Sequence, residues 1–241
     1  MKKSKSLKLT LAFLFLTFLI FLVCFNFRYH LFLKYSLVFS DIEKIPLLPE
    51  VDNISYRNLG NLQSFEYGSI VFKLPGDFKF HEKYPAKNVL TNGRVNLMFD
   101  EIIDVREHLE ILANENKLKL GLKNYPKFCL DCYRFNQNMF KWTLTKKEAK
   151  YFLVLLANKM VMQMSGDNEI RYFLNNNIEG LIVFSNNYKM ASIKWQKKDC
   201  FTGGLINIFN NQSSLDSGFV DQFCQSLEFR KSVAIDCAGS Q

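Results

Sequence analysis

Residues 169–210, EIRYFLNNNIEGLIVFSNNYKMASIKWQKKDCFTGGLINIFN, decide the fold class that the sequence predicts. Four runs in this stretch are rich in β-branched and aromatic residues and have the periodicity of strands: EIRYFLN, IEGLIVFS, YKMASIKW and GGLINIFN. Asn186-Asn187 connects the second run to the third, and residues 199–204 connect the third to the fourth. Because connections this short join neighbouring strands, the stretch predicts an antiparallel meander.

A first helix is predicted over residues 104–115, upstream of the meander. Asp104 and Glu107 have the spacing of a capping box, in which the first side chain accepts a backbone hydrogen bond at the helix start. Apolar residues at steps of three and four predict one buried helical face, formed by Ile102, Val105, Leu109 and Leu112.

Two further helices are predicted. A second capping box, Thr145 with Glu148, begins a helix over residues 146–164. Its apolar core is interrupted after seven residues, too few to span a bilayer, so we interpret it as a central helix buried by the sheet. Residues 215–227 predict a final helix with Phe and Leu side chains on one face.

Strands are also predicted upstream of the first helix. Residues 65–74, FEYGSIVFKL, predict one strand that ends at a turn, and residues 94–99 predict a second, reached through a long loop or a hairpin turn at Asn92-Gly93. Residues 119–142 show no clear period. The order of strands, two helices, a run of strands and a final helix predicts an α+β fold with helices packed on an antiparallel sheet.

Two motifs of this domain resemble a known family. The strand leading into Leu74-Pro75-Gly76-Asp77-Phe78, and the glycine-led strand followed by FVDQFCQSLEF at residues 219–229, are similar to the small α/β/α sandwich of PsbP-type and Mog1-type domains. The resemblance covers most of residues 62–230. Since those domains mostly serve as binding or assembly modules, it implies a non-enzymatic role.

The N-terminal stretch LTLAFLFLTFLIFLVCFNF, residues 9–27, predicts that one transmembrane helix, over residues 9–28, precedes the α+β domain. Its nineteen residues carry no charge and lie between Lys8 and Arg28. As a helix they would extend about 28 Å, close to the ~30 Å thickness of the bilayer hydrocarbon core.

The net charge of +8 is concentrated around this stretch. The rest of the chain carries only +2, because +6 comes from Lys2, Lys3, Lys5, Lys8, Arg28 and Lys34. No basic stripe remains for nucleic-acid binding. With four lysines before the span, the positive-inside rule predicts a cytoplasmic tail at residues 1–8 and an extracytoplasmic domain anchored in the inner (cytoplasmic) membrane of a bacterial envelope.

A cleavable signal peptide and a lipoprotein signal are the competing interpretations of the stretch. A signal peptide has a shorter apolar run, of roughly 7 to 15 residues, followed at once by small residues, which this chain lacks there. Cys24 follows Phe21-Leu22-Val23, without the small residue that lipid-attachment boxes place before the cysteine. The sequence therefore favours a retained signal anchor.

We predict a juxtamembrane segment and linker at residues 29–61. The extracytoplasmic α+β domain follows at 62–230, and a flexible tail at 231–241. The first part, YHLFLKYSLVF at residues 29–39, is aromatic, and water solvates so much aromatic surface poorly. We therefore expect lipid or protein partners to contact this segment, and its candidate partner-binding residues are Tyr29, Phe32, Tyr35 and Phe39.

Cysteines are the strongest candidates for chemistry. Cys129 and Cys132 have C-x-x-C spacing, which suits a disulfide, structural thiols, half of a zinc site or a redox pair. Cys200 is a further candidate for a disulfide. Cys224 lies among aromatic residues of the final helix and is predicted to be a buried core residue.

Recognisable catalytic motifs are missing from the sequence, which has three histidines, no nucleophile elbow, no His-Glu-x-x-His and no phosphate-binding loop. We predict no cofactor and no metal site.

The sequence thus favours a membrane-anchored envelope protein whose domain binds or assembles with other proteins. The alternatives are an envelope thiol/disulfide enzyme using Cys129 and Cys132, and a small-ligand-binding domain with a Phe-lined interior.

Overall fold

The predicted meander is present in the computed structural model, which describes residues 2–39, 52–53, 61–81, 88–100, 103–135, 144–162, 169–175, 177–184 and 188–230. Its strands are β8 (Ile170–Leu174), β9 (Ile178–Phe184), β10 (Met190–Lys197) and β11 (Thr202–Asn210). All three neighbouring pairs are antiparallel. The α+β class, with antiparallel sheets and packed helices, is thereby confirmed.

The other strands and the helices complete two sheets and their covering layers. The remaining strands are β1 (Asp52–Asn53), β2 (Leu62–Tyr67), β3 (Ile70–Pro75), β4 (Lys79–Phe80), β5 (Val89–Thr91), β6 (Val95–Phe99), β7 (Ile103–Asp104) and β12 (Glu228–Phe229). The helices are α1 (Lys2–Phe39), α2 (Val105–Ala113), α3 (Glu115–Leu118), α4 (Tyr125–Arg134), α5 (Lys146–Met162) and α6 (Ser217–Ser226).

Within the described residues, the larger sheet has the strand order β1-β8-β9-β10-β11-β6-β5-β4, and β7 pairs with β11. The smaller sheet has the order β12-β3-β2. One face of the large sheet packs against the small sheet and α6, and the other packs against α2, α4 and α5. Since both faces are buried, side chains of alternating strand positions belong to two separate hydrophobic cores.

Trp195 lies at the centre of the meander, opposite a glycine on each neighbouring strand. It pairs with Gly180 of β9 and with Gly204 of β11. A methyl group on Gly204 would lie 3.0 Å from the indole, and one on Gly180 would lie 2.3 Å from the ring of Phe173. The two glycines therefore leave the space into which large aromatic side chains of adjacent strands pack.

The helix signals of the sequence are largely confirmed. Thr145 and Glu148 form the predicted capping box: the Glu148 carboxylate accepts the amide of Thr145 (2.8 Å), and the Thr145 hydroxyl accepts the amide of Glu148 (3.2 Å). Asp104 caps α2, but its carboxylate accepts the amide of Arg106 rather than that of Glu107. Helix α5 packs mainly against α4 and α1, so helices rather than the sheet cover most of it.

Two sequence predictions differ from the structure. The single strand expected over residues 65–74 is a hairpin, because Gly68 has a φ of +56° and turns the chain between β2 and β3. Residues 119–142, where no period was visible, contain α4. Pro126 lies in its first turn, where proline costs no hydrogen bond, and Asn124 caps the helix by accepting the amide of Lys127.

Helix α1 continues through residue 39 and bends. By length and composition, no unbroken helix in the described part of the chain could cross a membrane. The segments Phe13–Phe25 and Phe27–Tyr35 have the length and apolar composition of a membrane span only when they are taken together, and the angle between them is 67°. Inside the predicted linker, β1 pairs in parallel with β8. The predicted tail at 231–241 lies outside the described residues.

We predict that Gly180→Ala destabilises the fold by roughly 1–3 kcal/mol, because its methyl group would overlap the buried ring of Phe173. The measurement is thermal unfolding of the full-length protein in detergent. Gly76→Ala is the matched control, since its methyl group would meet only Gln63 at an ordinary 3.7 Å. Equal unfolding midpoints for the two variants would contradict the packing described for the meander.

Candidate functional site: an exposed apolar helix joined to the domain

The most unusual surface of the molecule is the first segment of α1, Phe13–Phe25. All eleven of its large apolar side chains are between 40% and 66% exposed. They surround the helix instead of forming one stripe, so no face of this segment is polar. Soluble proteins rarely expose a continuous apolar surface of this kind.

Polar groups of this segment are satisfied within the helix itself. The hydroxyl of Thr17 donates to the carbonyl oxygens of Phe13 (2.8 Å) and Leu14 (2.9 Å). A hydroxyl bonded in this way needs no water, and it is tolerated in an apolar medium. At the end of the segment, the Arg28 guanidinium stacks over Phe25 at 3.9 Å and donates to its carbonyl (3.1 Å), with its own side chain exposed.

The second segment of α1, Phe27–Tyr35, docks on the domain. Leu33 is completely buried, and His30 on the same face is 8% exposed. Leu33 packs with Leu144 and Ala149 at the start of α5, and Tyr29 and Phe152 pack around them. This contact attaches α1 to the folded domain through a small hydrophobic cluster of its own.

The structure separates the four residues predicted to bind a partner. Tyr29 is partly buried against the domain, whereas Phe32 and Tyr35 are 56% and 64% exposed. The side chain of Phe39 lies outside the described residues. The docking contact of His30 and Leu33 could not be predicted from the sequence, because most positions in YHLFLKYSLVF are apolar or aromatic and no single face is distinct.

Cys129 and Cys132 both lie on α4, face the interior and are free thiols. Burial raises the pKa of Cys129 to about 11, despite a hydrogen bond from the Tyr125 side chain and the nearby charge of Lys194. Burial likewise raises the pKa of Cys132, and the Cys129 thiol beside it adds to the effect. Both thiols are therefore protonated at neutral pH and sit beyond the first turn of their helix, where the helix dipole has little influence.

The remaining cysteines of the domain are also inaccessible. Cys224 is completely buried on α6, as predicted, and burial raises the pKa of its thiol. Cys200 is 7% exposed in the turn between β10 and β11, and its carbonyl accepts a hydrogen bond from the Gln196 side chain (2.6 Å). No two cysteines within the described residues form a disulfide with each other, and no group of three metal-ligating side chains occurs among those residues.

A buried ion pair is the most prominent charged feature of the domain. Arg171 on β8 contacts Asp221 of α6 at 2.6 Å and Glu169 at 2.5 Å. Asp221 is fully buried, so its charge needs the guanidinium that faces it. Because the pair joins β8 of the large sheet to α6, we assign it a structural role.

A cavity of about 480 Å³ opens on the surface where β12 and β3 approach the end of β8. Its lining is mixed, with the side chains of Asn175, Gln225 and Arg230 beside those of Val71 and Phe229. Phe229 lines this cavity, whereas Phe72 and Phe99 stack against each other in the core at 5.0 Å.

Comparisons with protein-family models, curated proteins and solved structures found no match. The resemblance to PsbP-type and Mog1-type domains stays a prediction.

We predict that Cys129 and Cys132 resist alkylation in the native protein at about pH 8 and react completely in denaturant, because burial keeps both thiols protonated and shielded. Mass spectrometry after iodoacetamide treatment measures this. An Ile111→Cys variant is the positive control, since that side chain is 78% exposed on α2. Fast native labelling of Cys129, or recovery of Cys129 and Cys132 as a disulfide, would contradict the prediction.

Proposed function

We propose that this chain is a single-pass, membrane-anchored protein of the cell envelope, with a cytoplasmic N-terminus and an extracytoplasmic domain that binds or assembles with other proteins. The observation that carries the proposal is the exposed apolar surface of Phe13–Phe25. Eleven large apolar side chains at about half exposure would leave on the order of 10 kcal/mol of hydrophobic free energy unrealised in water.

Lipid explains this surface better than a protein partner does. A partner helix or groove covers one side of a helix, whereas the exposed residues of this segment occupy all sides. The helical backbone extends to Lys2, so residues 9–25 supply seventeen apolar or uncharged helical residues, at the lower limit for a span. The lysines at positions 2, 3, 5 and 8 would then remain on the cytoplasmic side.

The surface that we propose for a protein partner is the edge of the smaller sheet. Among the described residues, β2 is the outermost strand of that sheet, and it pairs with β3 on its inner side. Opposite Ser64, the amide of Lys73 donates to the Ser226 hydroxyl (2.9 Å) and not to a carbonyl oxygen of β2. Ser64 therefore belongs to a non-hydrogen-bonded pair, and its amide points away from β3. Such an edge can receive a strand from another chain.

The thiol-enzyme alternative is supported poorly by the same domain. Redox dithiols need an accessible, acidic cysteine at a helix start, whereas Cys129 is buried within α4 with a raised pKa. Small-ligand binding is the second candidate, and the observation in its favour is the cavity of about 480 Å³ beside β12, which has both polar and apolar lining residues.

We predict that the full-length protein stays in membranes after alkaline washing, and that Phe18→Asp with Phe21→Asp releases it. Each carboxylate at the centre of a span costs about 2.5–3.5 kcal/mol on insertion scales. Sedimentation and immunoblotting measure the effect, and Phe18→Leu with Phe21→Leu is the matched control. A reporter fused after Gln241 tests orientation in the same cells: activity restricted to the cytoplasm would contradict the proposed topology.

We predict that Ser64→Pro abolishes complexes of the protein that survive in mild detergent, while Ser64→Ala preserves them. Proline removes the outward amide and obstructs an added strand, but it leaves the β2–β3 hydrogen bonds in place. Native gel electrophoresis of solubilised membranes compares the two variants. Complexes of unchanged size with Ser64→Pro would rule out the β2 edge as the assembly surface.

A further inference from the structure

We infer that the second segment of α1, Phe27–Tyr35, lies along the membrane surface, with Leu31, Phe32 and Tyr35 in contact with lipid. The inference rests on the proposed function, because it requires that the first segment spans the bilayer. It adds a second membrane contact and a fixed position of the domain, which a simple anchor would not provide.

Geometry gives the first argument. The two segments meet at 67°. If the first segment runs close to the membrane normal, the second is directed closer to the membrane plane than to the normal. It also begins within two residues of the end of the apolar surface, and therefore at the depth where the chain leaves the hydrocarbon core.

The division of the second segment into two faces gives the second argument. Leu33 and His30 are buried against the start of α5, so this face is occupied by the domain. Leu31, Phe32 and Tyr35 are 36%, 56% and 64% exposed. Tyr35 follows Leu31 by four residues and Phe32 by three, so the three side chains lie together on another face of the helix. A helix with one face packed on the domain and another face that is apolar and exposed resembles an interfacial helix.

The chemistry of the exposed groups matches the headgroup region. Tyr35 combines an apolar ring with a hydroxyl, as do the aromatic residues that collect at membrane interfaces. Arg28 and Lys34 are exposed at the two ends of the segment, where their charges can reach lipid phosphates while their stems lie along apolar surface. Between this exposed face and the apolar surface of the first segment lie Asn26 and Arg28, polar residues of the kind found where a chain passes from hydrocarbon to headgroups, which favours lipid over a protein as the occupant of the face.

The consequence is a domain seated on the bilayer. Since Leu33 packs with Leu144 and Ala149, a helix lying in the interface holds the start of α5 close to the membrane surface. The domain would then have one orientation relative to the membrane, set by a buried contact.

Photo-crosslinking of the purified full-length protein in phosphatidylcholine nanodiscs tests the inference. The photoreactive residue p-benzoyl-phenylalanine replaces Phe32 or Tyr35, and both replacements keep an aromatic ring at an exposed position. Phe18 is the replacement site within the proposed span, and Ile111 is the matched exposed site on α2, 78% exposed. Mass spectrometry then detects lipid adducts after illumination.

We expect lipid adducts at Phe18, Phe32 and Tyr35, several-fold above the yield at Ile111. Adducts at Phe18 with none above the Ile111 level at Phe32 and Tyr35 would overturn the inference and leave the anchor standing. Adducts between two copies of the chain at Phe32 or Tyr35 would also overturn it, because protein would then cover this face. Absence of lipid adducts at Phe18 would overturn the anchor itself, and the inference with it.

Discussion

The fold depends on one packing constraint, the accommodation of Trp195 in a sheet that is covered on both faces. The indole is 2% exposed, and its cross-strand neighbours on β9 and β11 are glycines. Without side chains at Gly180 and Gly204, large rings from adjacent strands fill the space above the sheet. The same arrangement places Phe173 over Gly180, so one sequence feature fixes the packing of β8, β9, β10 and β11 together.

The sequence predicted those elements whose signals are local. Four strands, the Asn92-Gly93 turn, the Thr145–Glu148 capping box and the burial of Cys224 each depend on residues within a few positions of one another. It missed α4 although Lys127, Asp131 and Arg134 have the spacing of one polar helical face, because Pro126 resembles a helix breaker outside its first-turn context. It also missed the β2–β3 turn, where Gly68 was the only signal.

Long-range contacts account for the features of the fold that the sequence did not predict. The pairing of β1 with β8, the buried pair of Arg171 with Asp221 and the docking of Leu33 on α5 each join residues far apart in the chain. No periodicity encodes such contacts. For the candidate site, the sequence predicted a contact surface at residues 29–39, but it could not separate the face that contacts the domain from the face that does not. That distinction arises only when α5 covers His30 and Leu33.

The docking contact changes what the N-terminal helix contributes to the protein. A flexible tether would leave the domain free to rotate, and any partner surface would face the membrane or the solvent at random. A helix attached through Leu33 removes that freedom before any partner arrives, so less orientational entropy is lost on assembly. If the first segment of α1 spans the membrane as proposed, the β2 edge then has one position relative to that membrane. On this reasoning, the buried face of α1 is as important for assembly as the surface that meets the partner.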